Sequence, residues 1–283
     1  MKLYDALNMP EAPKTTVILI TYNHEANIGD CLTSILDQEI DHPVELIITD
    51  DCSNDRTVSI IEKLLPKTAR NIKKYYHDKN LFHEHIFNLD RIKSARGNAF
   101  FYMEGDDFWA GSSSRMQMMT DCLAEDSSVS FCFTDTFQNS TIDTEASKFL
   151  LPGNLKKDVA QNKLKLANYS YIHLGACCFR NVQTVFPMEY KLSMNSDLWF
   201  PYLWSDFGKG RYLDDCGHLN YHFNGQGAWS SLDKKEQIKT KLIYACQLTS
   251  HMLRTGNVDG AIFNSFRFQP LIDARKKMGL EID

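Results

Sequence analysis

The polar opening of this sequence, Met1 to Thr16 with Pro10 and Pro13, lacks the apolar core that a signal peptide or a membrane span requires, so the chain is expected in the cytosol. No long basic run is present and aromatics do not interleave with basic residues; with a formal net charge of -5 this excludes a broad nucleic-acid surface and leaves a single nucleotide as a ligand. The cysteines (Cys31, Cys52, Cys122, Cys132, Cys177, Cys178, Cys216, Cys246) form no CxxC pair and mostly sit in apolar runs, which predicts buried free thiols instead of a disulfide framework. No HExxH occurs, and His83 with His85 lacks the third ligand of a zinc site. Neither GxxxxGK[ST] nor GxGxxG appears, so a P-loop and a dinucleotide fingerprint are both excluded. Internal repeats and low-complexity tracts are missing too.

What is present is ordinary globular material: 283 residues, 43% hydrophobic and 24% charged, enough for one large domain with or without an appended lobe. Thr16 to Thr21 is a short β-branched run of the kind buried on both faces of a sheet. Ile28, Leu32, Ile35 and Leu36 then recur at helical spacing. Val44 to Thr49 predicts a second strand, and Ser53, Asn54, Asp55 and Thr57 supply turn and cap chemistry ahead of Val58, Ile61 and Leu65. Strands near Ile72 to Tyr76 and Ala99 to Met103 follow, with a helix between them through Ile86, Leu89 and Ile92. Alternating strands and helices imply an α/β fold with a mostly parallel sheet. Beyond Trp109 the pattern loosens: a helix at Met116 to Leu123, strands at Val129 to Thr134 and Ala176 to Phe179, a helix near Leu198 to Tyr202, a long one from Asp233 to Leu253, and a polar stretch reaching Lys165. The expected division is 1–125, 126–230 and a helical extension over 231–283.

The polar residues gather where such a sheet holds its ligands, at the carboxyl ends of the strands. The first strand runs into Thr21-Tyr22-Asn23-His24-Glu25, the second into Asp50-Asp51, and the strand from Ala99 into Glu104-Gly105-Asp106-Asp107. Crowded carboxylates repel unless a cation or a donor network neutralises them. Mg²⁺ or Mn²⁺ suits such a cluster, since it takes one or two protein carboxylates and completes its shell with substrate phosphate oxygens. A phosphoacceptor receiver would instead carry its paired acids after the first strand.

Three blocks, VILITYNHEANIGDCLTSILDQ, LIITDDCSNDRT and FFYMEGDDFW, give Val17 to Trp109 a resemblance to the family 2 inverting glycosyltransferases of GT-A fold, a Rossmann-like, mostly parallel sheet flanked by helices with a less regular acceptor-side region. The resemblance implies a donor site for a nucleotide sugar, UDP-sugar first, drawn from Thr21, Tyr22, Asn23, Glu25, Asp50 and Asp51, with Asp51 accepting from the base and Asp50 bracing its loop. Glu104-Gly105-Asp106 resembles the family's DxD motif with Glu in the first place, which makes Asp106 the metal ligand, sets Glu104 toward the ribose or metal-bound water, and puts Asp107 toward the sugar. SMNSDLWFPYLWSDFGKGRYLDD resembles the segment that provides the catalytic base, pointing to Asp197, with Asp206 in reserve and a helix N-cap as the plain alternative for Asp197. NYHFNGQGAWS resembles a loop that folds over the diphosphate, here with His222 and Asn224 where Arg and His are usual, and with Trp229 after the glycine.

The implied reaction is one in-line displacement onto an acceptor hydroxyl of a glycan or lipid-linked glycan in surface polysaccharide assembly. A nucleotidyltransferase using the same acids, or a nucleotide-sugar binder without turnover, are the competing readings. Trp109, Trp199, Trp204 and Trp229 are either sugar-stacking platforms or core. The helix holding Lys235, Lys239, Lys241 and Arg254 beside Ile238, Leu242, Ile243 and Leu248 reads as an amphipathic helix packed on the domain, with peripheral contact at the inner membrane face as the other reading.

Overall fold

A computed structural model describes residues 1–66, 68–81, 87–142, 146–166, 172–182, 184–191, 199–225, 231–266 and 268–277. Eleven strands among them build two sheets: β1 Thr15–Thr21, β2 Val44–Asp50, β3 Ile72–Tyr76, β4 Ala99–Glu104, β5 Phe108–Ala110, β6 Val129–Phe133, β7 Asp135–Ser140, β8 Lys148–Phe149, β9 Cys177–Arg180, β10 Lys209–Tyr212 and β11 His218–Phe223. The large sheet runs β10-β6-β9-β4-β1-β2-β3. It is parallel except where β9 inserts against β4 and β6.

Side-chain alternation along the strands explains why the central run is apolar throughout. In β1, Val17 and Leu19 enter one core while Ile18 enters the other; in β4, Phe101 and Met103 face the first and Phe100 and Tyr102 the second. The first core is closed by helix Ile28–Leu36, which buries Ile28, Cys31, Leu32 and Ile35 at helical spacing. The second is aromatic: Phe200 stacks on Trp204 at 5.0 Å between ring centroids, and both meet Phe179.

Trp109, Trp199 and Trp204 are all buried, so none of them is a surface platform for a sugar; Trp109 Nε1 donates to the Gly175 carbonyl at 2.8 Å. Trp229 lies outside the described residues. The thiols are free, and most are buried as expected, but Cys246 is exposed and Cys52 half-buried.

The second sheet, β5-β11-β7-β8, corrects the loose reading of the later half. Two of its strands, DTFQNS and HLNYHF, are too polar to read as core strands, because much of their length is only half-buried. His222 therefore sits on strand β11, where the resemblance implied a loop. The close approach of β5 and β11 depends on two glycines at positive φ, Gly111 and Gly217: a Cβ on Gly217 would lie 2.2 Å from the Ala110 carbonyl oxygen.

Arg115 ties the two sheets together from a fully buried position. Its guanidinium donates to the carbonyls of Cys216 (3.2 Å) and Ala176 (3.0 Å) and to Thr134 Oγ1 (2.8 Å), and burial pushes its pKa down to about 10. It remains a cation at neutral pH. Arg115→Met keeps most of the volume but strips the Cys216 carbonyl and Thr134 Oγ1 of the Arg115 donor, each loss worth about 1–3 kcal/mol, and leaves the Ala176 carbonyl with only the Thr134 N–H at 3.1 Å. The expected result is a urea midpoint lowered by about 3 kcal/mol of stability or more; an unchanged midpoint would mean that the two sheets are held together elsewhere.

A second buried charge fixes the β1–β2 pair. Glu45, whose side chain is wholly buried, meets Arg96 Nε at 2.7 Å and Lys73 Nζ at 2.9 Å and accepts from Thr16 Oγ1 at 3.0 Å. Burial pushes its pKa up, but these partners outweigh burial and hold the carboxyl below its usual range.

Helix Lys234–Arg254 starts on Asp233, whose carboxylate accepts the Glu236 N–H at 2.8 Å, and it buries Ile238, Tyr244, Ala245, Leu248 and Met252. It packs on the domain as an amphipathic helix. Among the described residues no helix is long and apolar enough to cross a membrane.

Candidate active site

The three acidic turns converge because their strands are neighbours: Thr21 pairs with Asp50 across β1 and β2, and Ile20 with Glu104 across β1 and β4. The loop after β1 turns through Asn23 at φ 53° and the loop after β2 through Cys52 at φ 69°. Hydrogen bonds then fasten the two loops to each other. Asn23 N–H donates to Ser53 Oγ (2.8 Å), His24 N–H to Thr57 Oγ1 (2.8 Å), Glu25 N–H to Asp55 Oδ2 (3.1 Å) and Asn54 N–H to Asn23 Oδ1 (2.9 Å). Glu25 Oε2 accepts from both the backbone N–H and the Nε–H of Arg56 at 3.0 Å, and these bonds, backbone first, hold its carboxyl below the ordinary range. Asn23 and Glu25 thus fasten the rim of the site, and Tyr22 just before them is exposed.

Asp50 turns back on its own loop, accepting from Ser53 N–H at 2.9 Å and Ser53 Oγ–H at 2.5 Å. Asp51, buried to 3% exposure, accepts the Leu81 N–H on Oδ1 at 2.7 Å, donates its own N–H to the Thr21 carbonyl at 2.9 Å, and takes Asn80 Nδ2 on its carbonyl at 3.3 Å. Asn80 and Leu81, in the segment after β3, hold Asp51 in place, and motif reading passes over them. The signal that finds them is the rule used for the other strands, since His77-Asp78-Lys79-Asn80 is the polar run at the carboxyl end of β3.

After β4 the acids part company. Glu104 is exposed, and Gly105 N–H donates to the Ile20 carbonyl at 2.8 Å. Asp107 is buried and accepts the backbone N–H of His222 at 3.0 Å, so it reaches the second sheet. His222 Nδ1 also meets Asn27 Nδ2 at 3.0 Å, which brings β11 over the start of helix Ile28–Leu36. Asp106 keeps a side chain with 13% exposure and faces His24 Nε2 at 3.8 Å. Cys31 lies beneath: burial, then the charges of Asp107 and Asp106, raise its pKa, and its thiol donates to the Glu104 carbonyl at 3.5 Å. Among the described residues no three His, Cys, Asp or Glu side chains form a ready metal cage.

Asp197 lies outside the described residues. Asp206, its reserve, pairs with Lys165 and is largely exposed. An open cleft of about 710 Å³ sits at the opposite end of the sheet, beside Lys14, Thr15, Asn98 and Arg180, and contains none of the strand-end acids.

This architecture, a parallel 3-2-1-4 run with an acidic turn after β4 and a small second sheet laid beside it, defines a GT-A fold. The model of glycosyl transferase family 2 matches residues 16–182, and the chain belongs to that family. TuaG of Bacillus subtilis (strain 168), assigned by name to teichuronic acid biosynthesis, is 30% identical over 149 residues, covering 52% of this chain and 57% of TuaG. The crystal structure of Staphylococcus aureus TarS residues 1–349 with UDP superposes with a TM-score of 0.57 at 19% identity over 83% of this chain and 65% of that one. The mannosyltransferase PcManGT from Pyrobaculum calidifontis, solved with GDP-Man and Mn²⁺, gives 0.56 at 16% identity over 98% and 78%. Both likenesses carry the fold. The matched stretch covers 16% to 57% of the curated relatives' own length.

Proposed function

We propose that this protein transfers a sugar from a nucleoside diphosphate donor, a UDP-sugar first, to a hydroxyl of a surface glycan or lipid-linked glycan, with inversion at the anomeric carbon. The observation that carries the reading is the meeting of Thr21, Asp51 and Asp106 at the carboxyl ends of neighbouring parallel strands in a chain of this family. TarS solved with UDP and TuaG named for teichuronic acid biosynthesis support the donor and acceptor classes.

In this reading Asp51 holds the base, with its position set by the Leu81 N–H, Asp50 braces its own loop through Ser53, and Glu25 ties the two loops together through Arg56. Asp106 is the acid presented for Mg²⁺ or Mn²⁺, since Asp107 is engaged by His222. A site with few protein ligands fits an ion that draws the rest of its shell from a diphosphate. When bound, such an ion is a Lewis acid that offsets the negative charge growing on the departing diphosphate. His222, held between Asp107 and Asn27, stands where the β11 strand meets the same turn. Asp197 takes the proton of the acceptor hydroxyl as it attacks; a carboxylate is already ionised at pH 7, so its placement matters more than its pKa.

The test is the melting temperature of the protein with UDP, GDP, CDP and dTDP, each with and without Mn²⁺, because a ligand of the folded state raises it. The expected result is a Mn²⁺-dependent rise selective for one nucleotide, about 2.7 kcal/mol of stabilisation at a hundredfold excess over Kd. No rise with any of them would remove the donor site from this chain.

A further inference from the structure

We propose that His24 is a second protein ligand of the divalent cation at Asp106, with Thr21 setting its tautomer; the inference rests on the metal-dependent reading above. No motif assigns His24 a role, yet its Nε2 faces Asp106 Oδ2 at 3.8 Å. Two adjacent ligands on an octahedral ion at about 2.1 Å lie about 3 Å apart, so the pair closes on a shared ion by a side-chain movement of about 1 Å or less.

The other ring nitrogen supplies the independent observation. His24 Nδ1 and Thr21 Oγ1 are both buried polar atoms with no hydrogen-bond partner, although Thr21 is only 1% exposed. Such orphans in a folded protein call for an explanation. Both atoms line one gap: a Cβ built on Gly105 would lie 2.7 Å from Thr21 Oγ1 and 2.9 Å from His24 Nδ1. The gap exists because the residue between Glu104 and Asp106 has no side chain. In the proposed metal-bound arrangement a small movement of the ring lets an Nδ1–H donate across this gap to the Thr21 hydroxyl oxygen, a bond the present geometry does not make, and leaves the Nε2 lone pair on the Asp106 side. That is the arrangement metal-bound histidines adopt, one nitrogen on the ion and the other N–H held by an outer acceptor. The backbone is already set for it, since His24 N–H is pinned to Thr57 Oγ1 at 2.8 Å.

The experiment measures Mn²⁺ binding to the full chain by electron paramagnetic resonance, with UDP, GDP, CDP or dTDP added as the nucleotide, and probes the bound ion for hyperfine coupling to nitrogen in protein labelled with ¹⁵N-histidine. The expected result is a histidine coupling in the wild type that disappears in His24→Ala, with Mn²⁺ affinity at least tenfold weaker. Thr21→Val should keep the coupling and weaken Mn²⁺ binding about 10–100-fold, the usual cost of losing an outer-shell partner. Far-UV circular dichroism and the melting temperature without nucleotide or metal, close to wild type in both variants, report that they are folded. Mn²⁺ bound to the wild type without histidine coupling, or with a coupling that survives in His24→Ala, overturns the His24 assignment alone. Absence of Mn²⁺ binding to the wild type with every nucleotide overturns the metal-dependent reading and this inference with it.

Discussion

Asp106→Asn is expected to lower turnover by about 10²–10³-fold and to abolish the Mn²⁺-dependent part of nucleotide binding. An ion that neutralises charge on a departing diphosphate contributes several kcal/mol to the transition state, and each 1.36 kcal/mol is tenfold in rate. Replacing an anionic oxygen by a neutral amide weakens the ion's hold where few other protein groups share it. Asp107→Asn is the control one residue away. Asp107 accepts the His222 N–H through Oδ1, and an amide oxygen accepts the same bond, so Mn²⁺ binding should stay close to wild type. The measurement is nucleotide affinity with and without Mn²⁺ for both variants, together with the rate of nucleoside diphosphate release. Mn²⁺-dependent binding that survives Asp106→Asn would mean the metal assignment is wrong.

Asp197→Asn is expected to lower kcat by about 10²–10⁴-fold, the range a positioned general base supplies, while donor affinity changes little. In the proposed reaction Asp197 acts on the acceptor, which places the loss in the chemical step. Single-turnover rates with saturating donor, set against nucleotide affinity from calorimetry, separate the two. A loss below tenfold would move the role elsewhere. Asp206 would then be the next variant, although its pairing with Lys165 at an exposed position already engages its carboxylate.

How far the sequence alone leads depends on the kind of burial each segment has. β1, β2 and β4 are legible because strands covered on both faces become continuous apolar runs, and TTVILIT, VELIITD and AFFYME end in conspicuous polar turns. β7 and β11 are not, since only part of each strand is buried and Gln138, Asn139, Asn220 and His222 interrupt the pattern. Asp50 as a loop brace is readable from its own neighbourhood, because Ser53 lies three residues on. The engagement of Glu25 by Arg56, of Asp51 by Leu81 and of Asp107 by His222 is not, because the partners are 31, 30 and 115 residues away and no local rule says what a loop side chain will face. Arg115 hides for a related reason. A lone arginine at the start of a helix reads as a surface cation until the carbonyls around it are known.

The stitching of the loops after β1 and β2 has a consequence for how this site can be altered. Ser53, Thr57, Asp55 and Arg56 on one side are the partners of Asn23, His24 and Glu25 on the other. The two segments are therefore a single heritable cassette: a loop grafted from a relative on one side only would leave its counterpart's donors and acceptors unmatched, and donor preference should transplant between relatives only when residues 22–27 and 51–57 travel together.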